Sequence, residues 1–292
     1  MNTEEDIDNY TNDQGLLDVL AVEPEAKRAL IIGDPMYDVY WKAKLTGVSA
    51  EVPIPKVACD KGDVVYQPGG AANVLSNLRM LGVNAVMVYP EDAPRPEKNR
   101  LMVGTYQMAR WDYMDYCSSI DPRTITKAFK LHKPDVIVVA DYNKGTIDGP
   151  VLKVIEEISK DLPLYIDTKR DPSEFPEKAC FFPNQTEYDT FPSEYSLLNR
   201  CVLKQGEHGM RLIEQGEVIG SVEALIPNPI CVNGAGDTVM AAFIVAELEG
   251  HASPLYFASV AAAVAVVSAY TTIVSKGAIK EMADQLKAQK LA

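Results

Sequence analysis

Asn233-Gly234-Ala235-Gly236-Asp237-Thr238 is a glycine-bracketed turn that runs straight into an apolar, helix-forming segment, Val239 to Leu248, closed by Gly250. Such a turn leaves backbone N–H groups unpaired at a helix N-terminus, where the open donors and the helix dipole favour negative charge. It also sets Asp237 in the first helical turn, so an anion-binding backbone and a candidate base share one segment. Outward from it, apolar runs of strand length recur at Ala29 to Gly33, Ala85 to Tyr89, Val136 to Ala140, Leu164 to Ile166, Phe181-Phe182 and Cys201 to Leu203. Helical patterns lie at Ala71 to Leu81, Pro122 to Leu131, Pro150 to Ser159, Thr238 to Leu248, Pro254 to Tyr270 and Ala278 to Leu291. Buried strands alternating with amphipathic helices predict an α/β fold with a largely parallel sheet covered on both faces. Ligands of such sheets gather outside the carboxyl ends of the strands, where Asp34, Asp141, Asp167 and Asn184 fall.

Two stretches break the pattern. Tyr40 to Val57 is irregular and β-prone, with Pro53 and Pro55 bracketing Ile54, and Leu101 to Trp111 is extended in character. Together they predict a small projecting sheet, a lid over a site. Residues 1–27 read as an acidic tail leading into a short helix around Leu16 to Val22, and 28–292 as one domain carrying the lid.

The 292 residues, 47% hydrophobic, suffice for a substantial core. With 28 basic and 41 acidic residues the formal charge is −13, which argues against nucleic acid or an anionic membrane as the main partner. Five widely spaced cysteines without a Cys-x-x-Cys pair read as reduced thiols of a cytoplasmic protein. An acidic start, Met1 to Asp6, is unlike a signal peptide, and the most apolar stretch, Tyr256 to Ala269, has the small residues of a buried core helix.

Three further segments carry possible chemistry. Gln67-Pro68-Gly69-Gly70-Ala71-Ala72-Asn73 opens a helix; its paired glycines allow close backbone approach, and Asn73 offers a donor and an acceptor to a polyol. Asn184-Gln185-Thr186-Glu187 can hold phosphate oxygens and the water shell of Mg2+, although a helix cap explains the same residues. Leu203-Lys204-Gln205-Gly206-Glu207-His208-Gly209 is a strand and glycine-bounded turn able to lie against a nucleotide, or a plain hairpin turn. There is no Gly-x-x-x-x-Gly-Lys-Ser/Thr loop, and none of the three histidines sits where a ligand or base is needed. An anion hole beside a carboxylate suits phosphoryl transfer to a hydroxyl, whose catalysis is mostly positioning and charge stabilisation.

In this order and spacing the segments resemble the PfkB or ribokinase-like carbohydrate kinases, Asn233 to Asp237 matching the C-terminal signature and Gly69 to Asn73 the N-terminal one. Gly33 to Trp41, Glu51 to Pro55 and Asp141 to Gly145 are similar to the heptose-7-phosphate kinase branch. The resemblance, from about Ala29 to the C-terminal helix, implies a three-layer αβα domain with a β lid, a sugar or sugar-phosphate substrate, ATP and Mg2+, and a homodimer through the lid strands. It makes Asp237 the base and Gly234, Ala235 and Gly236 the anion hole. Asp34, Asp38, Gly69, Gly70, Asn73 and Asp141 would hold the sugar, with Lys98 and Arg100 toward its phosphate. Asn184, Glu187, Lys204, Gly206 and Gly209 match nucleotide-side positions, Glu187 reaching Mg2+ through water.

The departures are specific. Cys231-Val232-Asn233 replaces the family's Asp-x-Thr, removing a carboxylate associated with a monovalent-cation site and arguing against potassium activation. Lys204 stands where threonine is common, either aiding phosphate binding or blocking it. The chain is short between Tyr89 and Lys98, and its end at Ala292 without a His-x-Gly-His motif matches the kinase half alone. The expectation is a kinase for the anomeric hydroxyl of a heptose 7-phosphate. The alternatives are a kinase for ribose or fructose, and a weakened sugar- or nucleotide-binding relative acting through partners.

Overall fold

The computed structural model describes residues 26–90 and 94–291. The tail and short helix expected before residue 26 lie outside the described residues.

Strand β1 (Arg28–Gly33) shows why the chain layers as it does. Successive side chains point to opposite faces, so Ala29 and Ile31 enter one apolar core, Leu30 and Ile32 the other, and all four are fully buried. The chain then runs through β2 (Pro35–Val48), β3 (Pro55–Ala58), β4 (Val64–Gly70), α1 (Ala71–Met80), β5 (Asn84–Val88), β6 (Glu97–Val103) and β7 (Tyr106–Tyr113). Next come α2 (Pro122–His132), β8 (Val136–Asp141), α3 (Gly149–Ile158), β9 (Leu164–Thr168) and β10 (Cys180–Phe181). Two short helices follow, α4 (Gln185–Thr190) and α5 (Pro192–Leu197), then β11 (Arg200–Lys204), β12 (Met210–Glu214) and β13 (Glu217–Val222). Helices α6 (Ala235–Leu248), α7 (Pro254–Val266) and α8 (Lys276–Leu291) complete it.

The main sheet has eight strands in the order β13-β12-β11-β10-β9-β8-β1-β5, parallel from β11 to β5, with β12 and β13 added as antiparallel hairpins. Residues of α1, α6, α7 and α8 fill the core on one face and residues of α2, α3 and α5 that on the other, which is the expected α/β sandwich. α6 is buried from Asp237 to Ala246 because it lies in the middle of its layer. Truncating its fully buried Phe243 to alanine would cost roughly 3–5 kcal/mol.

The second sheet is larger than the sequence suggests. It has five strands, begins at Pro35, and includes Val64–Gly70 and the stretch from Glu97. Strand β2 organises it: its first half pairs with β4, its second half with β3, and β6 runs parallel along its other side. Prolines and glycines at 35, 68, 69 and 70 concealed these strands; Pro68 is tolerated because β4 is an edge strand, where no ladder N–H is needed.

Helix α7 ends at Val266, not Tyr270. The Val266 carbonyl accepts from the backbone N–H of Ile230 at 2.8 Å and of Cys231 at 3.2 Å, and the following β-branched and aromatic residues are weak helix formers. Among the described residues no helix is long and apolar enough to cross a membrane, and all five cysteines are free thiols.

Candidate active site

The N-termini of α1 and α6 meet at the carboxyl end of the main sheet. Gly234 caps α6 with φ 74°, and a Cβ there would lie 2.7 Å from Asn73 Nδ2 and 2.8 Å from Thr271 Cγ2, so conformation and space both require glycine. Gly70 does the same before α1, with φ 56°. Asp237, third residue of α6, is buried; its Oδ2 accepts from Asn73 Nδ2 at 2.9 Å and its Oδ1 from the Tyr142 hydroxyl. Asn73 is oriented in turn, because its Oδ1 accepts from Asn77 Nδ2 at 3.0 Å while Asn77 Oδ1 accepts from the Val274 N–H at 2.9 Å. That chain leaves the Asn73 NH2 group facing the carboxylate. Burial raises the Asp237 carboxyl above its ordinary 3.8, and the hydrogen bonds from Tyr142 and Asn73 bring it part of the way back. A carboxylate moved toward neutrality is a better proton acceptor at neutral pH.

Asp34 and Asp141 do not face the cavity in front of Asp237. Asp34 Oδ2 accepts from the N–H of Tyr142 at 2.6 Å and of Lys144 at 3.3 Å, and Oδ1 from Thr146 Oγ1 at 2.6 Å and its N–H at 3.3 Å. Four bonds fill the acceptor capacity of a carboxylate, so Asp34 has none left for the sugar hydroxyls expected of it. Asp141 similarly takes Asn143 N at 2.8 Å, Thr168 Oγ1 at 3.1 Å and Arg170 Nε at 2.9 Å. Both residues build the 142–146 loop that presents Tyr142. Gly69 and Asn73, also expected at the sugar, are buried one layer back, Gly69 against Asp38 and Asn73 behind Asp237.

Asp38, Gly70, Lys98 and Arg100 do line the cavity from the side of the second sheet. Arg100 Nη1 donates to Asp38 Oδ1 at 2.7 Å, the two side chains being 4% and 7% exposed, and Thr271 Oγ1 donates to Asp38 Oδ2 at 3.1 Å. Arg100 therefore reaches the site with its charge already matched. Lys98, which strand β6 and not a loop presents, places its ammonium 4.6 Å from the centre of the Tyr142 ring. Burial lowers its pKa, with Asp38 and Asp237 opposing.

On the opposite side stand Asn184, Lys204, Gly206 and Gly209 with two residues the sequence reading left without a role, Asp167 and Lys169. Asp167 Oδ2 accepts from Lys204 Nζ at 2.5 Å and Oδ1 from Lys169 Nζ at 3.2 Å. Those two ammonium groups hold the Asp167 carboxyl below its ordinary range despite burial, which opposes them. Lys169 also pairs with Glu187; burial pulls its pKa down, but the two carboxylates more than offset this and keep it above 10.5. Asn184 and Glu187 form the helix cap that was the other reading of these residues, a full capping box. Glu187 accepts from Asn184 N at 2.8 Å and Asn184 Nδ2 at 2.7 Å as well as from Lys169. Its charge is thus spoken for, and the donor set does not fit direct ligation of a metal; among the described residues no three His, Cys, Asp or Glu side chains gather as a metal site.

These walls enclose a cavity of about 560 Å³, open between the two sheets and floored by Gly234 to Asp237. It has the size of a small-molecule site, with Lys98, Lys169 and Lys204 around its buried carboxylates. Tyr142 and Thr271 were missed as site residues because only the fold brings them to Asp237 and Asp38; Tyr142 carried the one available signal, its place after the strand-end Asp141.

The described architecture matches ribokinase from Thermotoga maritima with a TM-score of 0.63 at 15% identity, covering 88% of this chain and 99% of that one. Phosphofructokinase-2 from Escherichia coli, in complex with substrates and products, matches with 0.67 at 15% identity over 90% and 100%. The chain has the ribokinase fold. In sequence it is similar to the bifunctional protein HldE of Chromohalobacter salexigens, 27% identical over 315 residues and 92% of this chain. It spans 65% of that relative's length. No family model matches the chain. In the ribokinase fold of this chain the Gly234 to Asp237 turn lies at the carboxyl end of the parallel strands, where the topology rule puts ligands, and the second sheet walls one side of the cavity.

Proposed function

We propose that the protein is an ATP-dependent sugar kinase that phosphorylates the anomeric hydroxyl of a heptose 7-phosphate. The observation carrying this reading is the buried Asp237 carboxylate, set beside the open N-terminus of α6 in a cavity walled by both sheets. Asp237 accepts the proton of the attacking hydroxyl; Asn73 and Tyr142 hold its two oxygens in place. The N–H groups of Gly234 and Gly236 face the oxygens of the transferred phosphoryl group, where fixed dipoles need no reorganisation; the Ala235 N–H, expected to share this role, donates to the Val232 carbonyl at 3.2 Å. Tyr142, with the Lys98 and Lys169 ammonium groups over its ring, shields the reacting oxygen from water. Mg·ATP is the phosphoryl donor, with its phosphates between α6 and Lys204 and its base toward Gly206 and Gly209.

Lys98 favours a phosphorylated sugar, since Arg100 is bound to Asp38 while Lys98 offers its charge to the cavity. The similarity to HldE and to the heptose-kinase motifs points the same way. ADP release from Mg·ATP is the test, with D-glycero-D-manno-heptose 7-phosphate, ribose, fructose and fructose 6-phosphate as acceptors. Turnover confined to the heptose phosphate supports the reading; turnover on ribose or fructose instead replaces the substrate, and none on any sugar from folded protein favours a binding protein.

We further propose that the chain is one domain from residue 28 and works as a homodimer through its lid. Edge strand β7 is exposed along its whole length and carries Tyr106, Met108, Trp111 and Tyr113, an apolar edge that needs a cover. Sedimentation at micromolar concentration tests this: a monomer would refute it.

A further inference from the structure

Lys204 is placed against the preference of its surroundings. Its side chain is 13% exposed and its ammonium rests on the first turn of α6, where a Cβ on Gly236 would lie 3.3 Å from Nζ. Unpaired N–H groups and the helix dipole make that end of a helix positive, so a cation there is repelled unless an anion lies between. The compensating anion is Asp167, 2.5 Å from the ammonium, and among the described residues it is the one ion-pair partner of Lys204. Asp167 is shared with Lys169, which has Glu187 besides. Two ammonium groups thus converge on a single carboxylate at the wall of the cavity, one of them against the first turn of α6.

We propose that the Lys204 ammonium is a contact for the terminal phosphoryl group of the nucleotide, held on Asp167 until that group arrives. This rests on the kinase reading above. In the reaction the sugar oxygen forms its bond to phosphorus, the bond from phosphorus to the leaving diphosphate breaks, and the sugar proton passes to Asp237. Lys204 keeps its protons throughout and donates hydrogen bonds to phosphoryl oxygens, a charge-assisted contact that a threonine hydroxyl cannot match.

Calorimetric binding of the non-hydrolysable ATP analogue AMPPNP and of ADP, each with Mg2+, tests the assignment on the full chain, on Lys204→Met and on Lys204→Arg. The expected result is a loss of about tenfold or more in AMPPNP affinity for Lys204→Met, with ADP changed far less, and near wild-type AMPPNP binding for Lys204→Arg. Wild-type AMPPNP affinity in Lys204→Met, or faster turnover from it, overturns the proposal and makes Lys204 a block. Should Lys204→Met fail to fold by its melting curve, Asp167→Asn/Lys204→Met removes both halves of the pair and is read in the same way. A wild-type protein that binds neither nucleotide defeats the kinase reading itself; one that binds and turns over while Lys204→Met keeps its AMPPNP affinity defeats only the assignment of Lys204.

Discussion

Asn73 and Asp237 are 164 positions apart and joined by a 2.9 Å hydrogen bond, the amide of one helix N-terminus holding the carboxylate of the other. Since that bond and the one from Tyr142 both lower a pKa that burial has raised, removing either lets it climb further. Activity needs the ionised carboxylate and falls as pH drops through its pKa. Asn73→Ala and Tyr142→Phe should each move the acidic limb of the kcat profile to higher pH and lower kcat by about tenfold to a hundredfold. A pH–rate profile unchanged in both variants would remove Asp237 as the titrating base.

Gly234 and Gly236 should respond differently to alanine. At Gly234 the left-handed backbone costs about 1–2 kcal/mol for any other residue, and the added Cβ would collide with Asn73 and Thr271, so both stability and turnover should drop. At Gly236 the nearest atom is the Lys204 ammonium at 3.3 Å, a contact that a few tenths of an ångström of side-chain adjustment relieves, and helix propensity favours alanine. Urea denaturation should show loss of stability only for Gly234→Ala, while turnover falls in both.

The parallel core was legible because fully buried strands leave continuous apolar runs and their helices leave a 3.6-residue period. Much of the lid was not. Strand β2 passes from a buried half to an exposed half, and β4 contains Pro68, Gly69 and Gly70, so neither shows an alternating pattern. The hairpin strand β13 is mostly exposed and carries no core signature. At the site, the glycine turns and Asp237 were readable, since a backbone conformation dictates residue type there. Asp34 and Asp141 were read as sugar-side residues because an aspartate at a strand end looks the same whether it faces a ligand or ties down its own loop, as both do here. Asp167 and Lys169 form a charge cluster with Lys204 and Glu187 that no sequence spacing reveals.

Asp167 makes a prediction about stability. Its pKa is depressed, so its contribution is complete above the ordinary 3.8 and is lost as pH falls through the lower folded value. Asp167→Asn, which leaves Lys204 and Lys169 without this partner, should cost about 3–5 kcal/mol at pH 7. Denaturation curves of the variant and the wild type should start to approach each other below pH 3.8 and converge once the pH has fallen through the lower folded value. A constant gap at both pH values would refute the role of the ion pairs.

Potassium offers a fourth prediction. With Cys231, Val232 and Asn233 before the anion turn, no carboxylate of that segment remains to hold a monovalent cation. Turnover measured in potassium chloride and in choline chloride of equal ionic strength should agree within about twofold, the ionic strength being matched because salt screens the phosphate contacts. A large activation by potassium would place a cation site elsewhere.

The central claim is that Asp237 is the base of a phosphoryl transfer to a sugar hydroxyl. Its most direct test is ADP release by Asp237→Asn beside the wild type, with heptose 7-phosphate and Mg·ATP, together with calorimetric AMPPNP binding on the same samples. The account predicts a fall in kcat of about a hundredfold or more, the scale of a lost general base, with nucleotide affinity largely kept. Wild-type turnover in Asp237→Asn would contradict it.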